Sequence, residues 1–560
     1  MTNIDLDAVR RQLTAPGAPF ELVDVDLHGG RAPAYRNAFR SLPELIEAGR
    51  VHAGREFMAY GEDRWSFDRF FAAVDALAGR LHHDLGLRPG DRVAIAMRNR
   101  PEWAVAFAAA VLVGAVPVPL NSFGLRDELC AALRDVQPRL LVCDVDRLAR
   151  VADELDGLDC RAISLADGPR APGVQAFEDL VQQGGPAAPK VSLSPQDPAL
   201  ILFTSGASSQ AKAVLSNQRA VCQALFNIDY IGALTAMTSP ARIEAMLRRG
   251  HAPATLTAVP LFHVSGLHAQ LLVSLRHGRR LVFMHRWDPA QAIELIARER
   301  ITQFNGAPSM VMQLMAQPGF DDPALTGSLA GIGFGGAGLP QRLIDELLER
   351  RPDSLSGIGF GMTESNGVAA AASGEIFSRH PRSSGLLSPI IGLCVVGPDG
   401  TPLPPMEPGE ICLRGVTVME GYWRKPEATA SALREGWLHT GDIGYLDGQG
   451  FLHVVDRIKD VINRSGEKIA AAEIESCLLQ HPGIEEAAVF GLPDDTTGEA
   501  VVAVVVPLPG ASPSEAQLRE HVRERLAAYK VPRAVHLHDG PLPRNATGKL
   551  LKNQIKRQYT

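Results

Sequence analysis

Cysteine is scarce in this chain: Cys130, Cys143, Cys160, Cys222, Cys394, Cys412 and Cys477 are the only seven in 560 residues, and none forms a Cys-x-x-Cys pair. An odd, scattered set excludes a disulfide framework, argues against a cysteine-held metal and points to a reducing compartment. An excess of one charge is also missing. With 63 acidic and 56 basic residues the formal net charge is −7, which gives no basic field for nucleic acid or anionic lipid. The N-terminus, MTNIDLDAVRRQ, lacks the apolar core of an export signal. These absences predict a cytoplasmic protein with small-molecule partners, no nucleic acid and no membrane span. One stretch imitates a span, residues 103–120, but Gly114, Pro117 and Pro119 interrupt it. It reads as a buried helix up to about Val113 followed by a buried strand.

What is present is an ordinary globular composition, 46% apolar and 21% charged, in a chain longer than the roughly 250 to 300 residues that one hydrophobic core supports. Two or three domains are expected. Short apolar runs (92–97, 140–145, 281–284 and 332–335) alternate with amphipathic segments of helical length, which is an α/β pattern. One predicted helix runs from about Asp68 to Leu85, with Phe70, Phe71, Val74, Leu77 and Leu81 on a single face. From about residue 395 to 458 the runs shorten and Gly and Pro become frequent, predicting a β-rich subdomain. The remainder, 459–560, reads as a small α+β domain with a boundary near Arg457 to Asp460. It contains a helix from Glu473 to Leu479, strands at AAVFGL and VVAVVV, and a helix from Pro513 to Tyr529 with Ser512 as N-cap, Pro513 at N1 and Glu515 at N3. The predicted architecture is therefore α/β, with a large N-terminal domain (1–458) and a small C-terminal one.

Among short motifs, Gly331, Gly333 and Gly336 satisfy G-x-G-x-x-G. The glycines fall within and just after a strand-like run instead of in a strand-to-helix turn, which argues against dinucleotide binding. A stronger segment follows the strand-like LILF: Thr204-Ser205-Gly206-Ala207-Ser208-Ser209-Gln210-Ala211-Lys212. Its hydroxyls, backbone N–H groups and terminal lysine suit phosphate, although the same composition also makes a solvated turn.

Further motifs follow in order: PLFHVSGL (260–267), GGAGLP (335–340), GFGMTES (359–365), WLHTGDIGYLDGQGFLHVVDRIKD (437–460), NRSGEKIAAAEIE (463–475) and PRNATGK (543–549). From about residue 55 onward this series resembles the acyl-adenylate-forming superfamily of acyl-CoA synthetases, adenylation domains and luciferases. The resemblance implies a large domain with a mobile C-terminal one, substrates ATP and coenzyme A with a small-molecule carboxylic acid or its adenylate, and Mg²⁺. It implies that Thr204, Ser205, Gly206, Ser208 and Lys212 take the phosphates. Gly335, Gly336 and Ala337 would lie against adenine, with Phe360 in place of a stacking tyrosine and Gly361, Met362 and Thr363 beside the nucleotide. Glu364, with Thr204, would hold the metal, a hard ion suited to oxygen donors. Asp442 and Arg457 would grip the ribose, and Lys549 would contact the acyl carboxylate and α-phosphate. Lys459 would be the hinge, and Gly466 and His263 would line and gate the path of the CoA thiol. A structural role remains open for several of these: His263 as a buried ring capping a helix, Glu364 as a loop carboxylate, Lys549 as a tail lysine.

The chain departs from the family pattern in the phosphate loop, with Ala207, Ser209, Ala211 and Ala213 replacing threonine, glycine, proline and glycine. Each change weakens a hydroxyl donor, a close backbone approach or loop stiffness. Gly338 and Ala471 also replace prolines. The set matched to AMP binding and thioester formation (Phe360, Thr363, Glu364, Asp442, Arg457, Gly466) is intact. That asymmetry, together with a resemblance to non-adenylating ligases of diterpenoid biosynthesis, implies a ligase that forms the thioester from an acyl adenylate. Adenylation would be weak or absent, the acid a bulky diterpenoid, and a separate adenylating enzyme a partner. A complete two-step acyl-CoA synthetase, a free-standing adenylation domain loading a carrier protein and a regulatory acyl-nucleotide binder are the alternatives. Segments 227–270, 305–312 and 357–370 are expected to line the acyl pocket, where small residues permit a roomy cavity.

Overall fold

A computed structural model of the chain describes residues 5–27, 30–168, 173–182, 185–204, 211–335, 341–465, 467–545 and 548–559. Two parallel sheets dominate the first 360 residues. In one, Arg92–Ala96 lies between Val116–Pro119 and Leu140–Cys143, with Arg161–Ser164 and Gln175–Ala176 beyond. In the other, Glu56–Tyr60, Arg280–Phe283, Ala254–Thr257, Gln303–Gly306, Gly331–Gly335 and Gly357–Met362 run parallel in that spatial order. The strands are short and apolar because both faces are covered. Helices Phe67–His83 and Pro101–Leu112 share one core with Val93 and Ile95 of the first sheet and Phe57 and Leu281 of the second. Ser66 caps the first helix by accepting the Arg69 N–H.

The apolar stretch that imitated a span is this buried helix, Pro101–Leu112, followed by the buried strand Val116–Pro119. Gln218–Thr238 is the helix long and apolar enough to cross a bilayer among the described residues. It is tied into the core instead: Asn227, fully buried, donates to the Val368 carbonyl and to Ser388 Oγ, both at 2.9 Å.

Beyond Gly357–Met362 the chain turns antiparallel. Gly367–Ser373, Gly385–Leu387, Phe451–Arg457, Trp437–Leu446, Gly409–Gly415 and Ile391–Val396 extend the second sheet without a break in hydrogen bonding. The β-rich texture read near residue 395 is thus continuous with the parallel sheet. A separate five-stranded sheet spans Ile462 to Leu537. In its strand Gly498–Pro507, Val501, Ala503 and Val505 face helices Ala471–Leu479 and Glu515–Arg523, while Val502, Val504 and Val506 face the side on which Ile555 packs. Burial on both faces explains the absence of polar alternation in VVAVVV.

The helix expected over Pro513–Tyr529 spans Glu515–Arg523. Its N-cap is Ser514, not Ser512, because Ser514 and Gln517 form a reciprocal capping box. It ends at Arg523, and the chain makes a separate single turn at Ala528–Lys530.

Candidate active site

Parallel strands leave a crevice at their carboxyl ends, and the crevice here opens beyond Gly331–Gly335 and Gly357–Met362. Gly335 and Gly359 are directly paired, and a Cβ on Gly335 would lie 2.8 Å from the Gly359 carbonyl. Only a glycine keeps that shelf flat. Gly331 and Gly333 of the decoy motif lie inside the strand, as their register required. Past Met362 the chain makes one tight turn, Thr363–Ser365, and Asn366 (φ 56°) reverses it into the next strand.

Glu364 of this turn is buried. Its backbone carbonyl accepts the Met419 N–H at 2.8 Å, and its Oε1 accepts the Tyr422 hydroxyl at 2.9 Å. Burial raises its carboxyl above the usual range, while Tyr422, Lys212 and Arg457 pull it back. Tyr422 lies on a short strand paired with Ala213–Asn217, and Lys212 Nζ sits 4.5 Å from the centre of its ring. Lys212 is tied to Thr204 from both sides: its N–H donates to Thr204 Oγ1 at 3.1 Å, and the Thr204 N–H donates to its carbonyl at 2.9 Å. These pairs close the base of the phosphate-type loop. Ser205, Gly206 and Ser208 of that loop, with Gly336, Ala337 and Gly466, lie outside the described residues.

Asp442 and Arg457 meet through sheet register. Asp447 Oδ1 accepts the Gln449 and Phe451 N–H groups at 2.9 and 3.0 Å, setting a hairpin, and the register shift between Ile443 and Gly444 then brings Arg457, in place of Asp456, opposite Asp442. Arg457 Nε lies 3.0 Å from Asp442 Oδ1. Burial raises the Asp442 carboxyl more than Arg457, Lys549 and Lys459 lower it. A cleft of about 480 Å³ opens here between Phe360, Asp442 and Arg457 on one side and Gly548, Lys549 and Lys552 on the other.

Lys549 comes from the C-terminal loop. Its N–H donates to Asn545 Oδ1 and its carbonyl accepts the Asn545 N–H, both at 2.9 Å, while Gly548 (φ 78°) makes the turn. Burial, and then Arg457, push the Lys549 ammonium down to about 7, against the pull of Asp442. The loop side is fastened by Lys552 to Glu475 at 2.7 Å and Arg544 to Glu486 at 3.2 Å. Across the boundary, Asp456 Oδ2 accepts the Ala472 N–H at 3.2 Å and so satisfies the start of helix Ala471–Leu479. Lys459 lies in the turn Ile458–Asp460, between the two parts, with its ammonium lowered by burial.

His263 stands apart from this cleft at the start of helix Val264–Gly266. Its carbonyl accepts the Gly266 and Leu267 N–H groups, and its ring centre lies 4.3 Å from that of Phe262. Burial drives the imidazole down to about 3, so it is neutral at pH 7. It cannot act there as a cation.

Three residues escaped the sequence reading: Tyr422, Asn545 and Asp456. Asn545 left a signal, because Asn-x-x-Gly-Lys is a turn in which the side-chain oxygen meets the backbone. Tyr422 acts through Glu364, distant in sequence, and the motifs name only the Glu364 side of that pair, while Asp456 and Ala472 both stand in motifs that do not show that they meet.

Comparison with known proteins gives a consistent answer. Residues 45–423 match the AMP-binding enzyme family and residues 473–549 the AMP-binding enzyme C-terminal domain. The chain is 34% identical over 492 residues to a feruloyl-CoA synthase of Amycolatopsis sp, covering 87% of this chain and 94% of that protein. It is 32% identical over 557 residues to 4-coumarate--CoA ligase 2 of Oryza sativa subsp. japonica, covering 96% and 94%. The crystal structure of ATP-bound MatB from Rhodopseudomonas palustris superposes with a TM-score of 0.80 at 27% identity, covering 92% of this chain and 99% of that one.

Proposed function

From the premise that the chain belongs to the AMP-binding enzyme family and is an acyl-CoA synthetase/ligase, we propose that it catalyses both half-reactions of ATP-dependent thioester formation on an aromatic carboxylic acid. In the first, the carboxylate attacks the α-phosphorus of ATP and pyrophosphate leaves. In the second, the CoA thiol, losing its proton, attacks the acyl carbonyl and AMP leaves. The observation that carries this reading is Lys549, buried in the cleft and electrostatically coupled to Asp442 and Arg457. A buried cation is costly to hold, and an anionic phosphate group forming beside it offsets that cost.

In this reading Asp442 and Arg457 bind the ribose hydroxyls, since the two side chains are already held in one geometry by their mutual contact. Phe360, Gly361, Met362 and Thr363, with Gly335, Gly336 and Ala337, enclose the base and α-phosphate. Thr204, Ser205, Gly206, Ser208 and Lys212 face the leaving pyrophosphate. Glu364 and Thr204 offer hard oxygens that fit a magnesium ion, and the cost of ionising a buried Glu364 favours a cation there. That ion, when bound, offsets charge on the phosphates. For the second step the C-terminal part turns about Lys459, withdraws Lys549 and brings Gly466 to the thiol path, with His263 as its gate. Seven free thiols support a reducing, cytoplasmic setting.

The aromatic acid is inferred from the names of the relatives, feruloyl-CoA synthase and 4-coumarate--CoA ligase. CoA is favoured over a carrier protein for the same reason. A second reading, thioester formation from a ready-made diterpenoid adenylate, rests on the loop residues Ala207, Ser209, Ala211 and Ala213. The relatives carry the ligase chemistry but neither of those two refinements. A panel of aryl-propenoic, short aliphatic and diterpenoid acids, each supplied with ATP and CoA, separates the readings. Aryl-propenoic acids are expected to give the highest kcat/KM, and turnover confined to the synthetic adenylate of a diterpenoid acid would overturn the proposal.

A further inference from the structure

Behind the strand that presents Asp442, three side chains that the proposed chemistry does not use converge. Glu410 and Cys412 lie two apart on Gly409–Gly415 and therefore share a face. His439, on Trp437–Leu446, is paired directly with Cys412. His439 Nδ1 lies 2.8 Å from Glu410 Oε2 and 3.5 Å from Cys412 Sγ, and one donor atom from each of the three falls within 4.8 Å of the others. The register shift between Glu410 and Cys412 leaves Thr440 to Asp442 bulged out of the ladder. Glu410 braces that bulge, its Oε1 accepting the Gly441 N–H at 3.2 Å.

The spacing can be compared with that of a metal site. A tetrahedral zinc about 2.3 Å from sulfur and about 2.05 Å from nitrogen sets those two donors about 3.6 Å apart, close to the 3.5 Å found between Cys412 and His439. Glu410 and His439 are closer than two ligands of one ion because they are hydrogen-bonded to each other. The partly exposed Glu410 needs to move outward by only about half an ångström to reach the corresponding edge of roughly 3.3 Å. Cys412 is buried, whereas His439 and Glu410 keep 16% and 21% of their side chains exposed, so an ion enters from their side.

We infer that Glu410, Cys412 and His439 form a binding site for a thiophilic divalent cation of the zinc type, separate from the oxygen site at Glu364, with its fourth position open to water. On binding, the ion displaces the thiol proton to solvent, and the His439 proton leaves the Glu410 contact for Nε2, so that the neutral ring offers Nδ1 to the metal. Sulfur and imidazole select such an ion over magnesium. Occupancy draws on the carboxylate that braces Gly441, next to Asp442, so the site is coupled to the ribose pocket.

The test titrates chelator-treated full-length protein with cobalt(II), a spectroscopic stand-in for zinc. One cobalt per chain is expected, with visible bands of tetrahedral cobalt and a near-ultraviolet thiolate-to-cobalt band, both removed by added zinc. Cys412→Ser is expected to lose the thiolate band and at least about tenfold in cobalt affinity, since even outer-shell changes cost about that much. Cys394→Ser, which alters the thiol opposite Cys412 on the neighbouring strand, keeps both. His439→Gln gives an independent loss should Cys412→Ser not fold, and a wild-type circular-dichroism spectrum and Tm certify each variant as native. Absence of the thiolate band in the wild type, or its persistence in Cys412→Ser, would overturn the assignment.

Discussion

In the proposed mechanism Lys212 and Lys549 bring positive charge to one site from two differently built regions. Lys212 belongs to the large domain. The Thr204 pair fixes its backbone, the Tyr422 ring lies under its ammonium, and Tyr422 is in turn bonded to Glu364. Lys549 hangs from a C-terminal loop shaped by Asn545, and burial, with the charge of Arg457 second, drives its ammonium down to about 7. The contrast teaches where charge strain is stored. A permanently mounted cation is placed where a ring and a carboxylate receive it. The cation under strain sits on the part that the proposed mechanism withdraws, so its burial is relieved when the second step begins.

Removing the delivered lysine tests the contrast most severely. Lys549→Ala is expected to lower acid-dependent adenylation by about a hundred- to a thousandfold, the range for loss of one preorganised electrostatic group. Thioester formation from a supplied acyl adenylate should remain within about threefold, because the lysine is absent from that arrangement. Equal losses in both steps would erase the distinction between the two lysines.

Asp442→Ala should weaken AMP by roughly ten- to a hundredfold, since a hydrogen bond to a charged group contributes about 1.5 to 3 kcal/mol. Calorimetry on the folded variant checks this, and an unchanged affinity would remove the ribose assignment.

On the fixed side, restoring the loop with Ala207→Thr, Ser209→Gly and Ala211→Pro should raise pyrophosphate exchange by about tenfold, the gain from about 1.4 kcal/mol of transition-state stabilisation. No gain would mean that the altered loop already serves the phosphates.

The smallest expected effect is on pH dependence. Only the protonated Lys549 offsets phosphate charge, and its free-enzyme value lies near 7. As pH rises from about 7 to about 8, kcat/KM for ATP should therefore fall by about fivefold. Bound ATP favours the ammonium, so kcat should fall less. Lys549→Arg, charged throughout this range, should flatten the profile.

Legibility in the sequence followed the same division. The parallel strands, helix Phe67–His83 and the helix-then-strand reading of residues 103–120 were visible because apolar periodicity is a local property. The last helix was misjudged because Ser512 and Ser514 both offer a cap, and only the Gln517 partner chooses between them. Helix Gln218–Thr238 leaves a weaker mark in the sequence, because Gln223 and Asn227 interrupt its apolar run and what they bond lies far away in sequence. In the site, Glu364, Asp442, Arg457 and Lys549 stand within ordered motifs. Tyr422, which links Lys212 to Glu364, stands outside the phosphate and metal motifs and becomes meaningful only when its strand pairs with Ala213–Asn217. The sparse cysteines argued against a held metal as a count over the chain, whereas the Glu410, Cys412 and His439 grouping arises from strand register that such a count does not contain.

The central claim is that one chain, with its own buried lysine, both activates the acid and transfers it. Exchange of labelled pyrophosphate into ATP, measured on the wild-type protein with its best aryl acid and compared with thioester formation from the matching acyl adenylate, tests that claim most directly. Acid-dependent exchange at a rate no lower than overall CoA thioester formation is the predicted result. Absence of exchange alongside rapid conversion of the supplied adenylate would contradict it and leave a ligase confined to the second step.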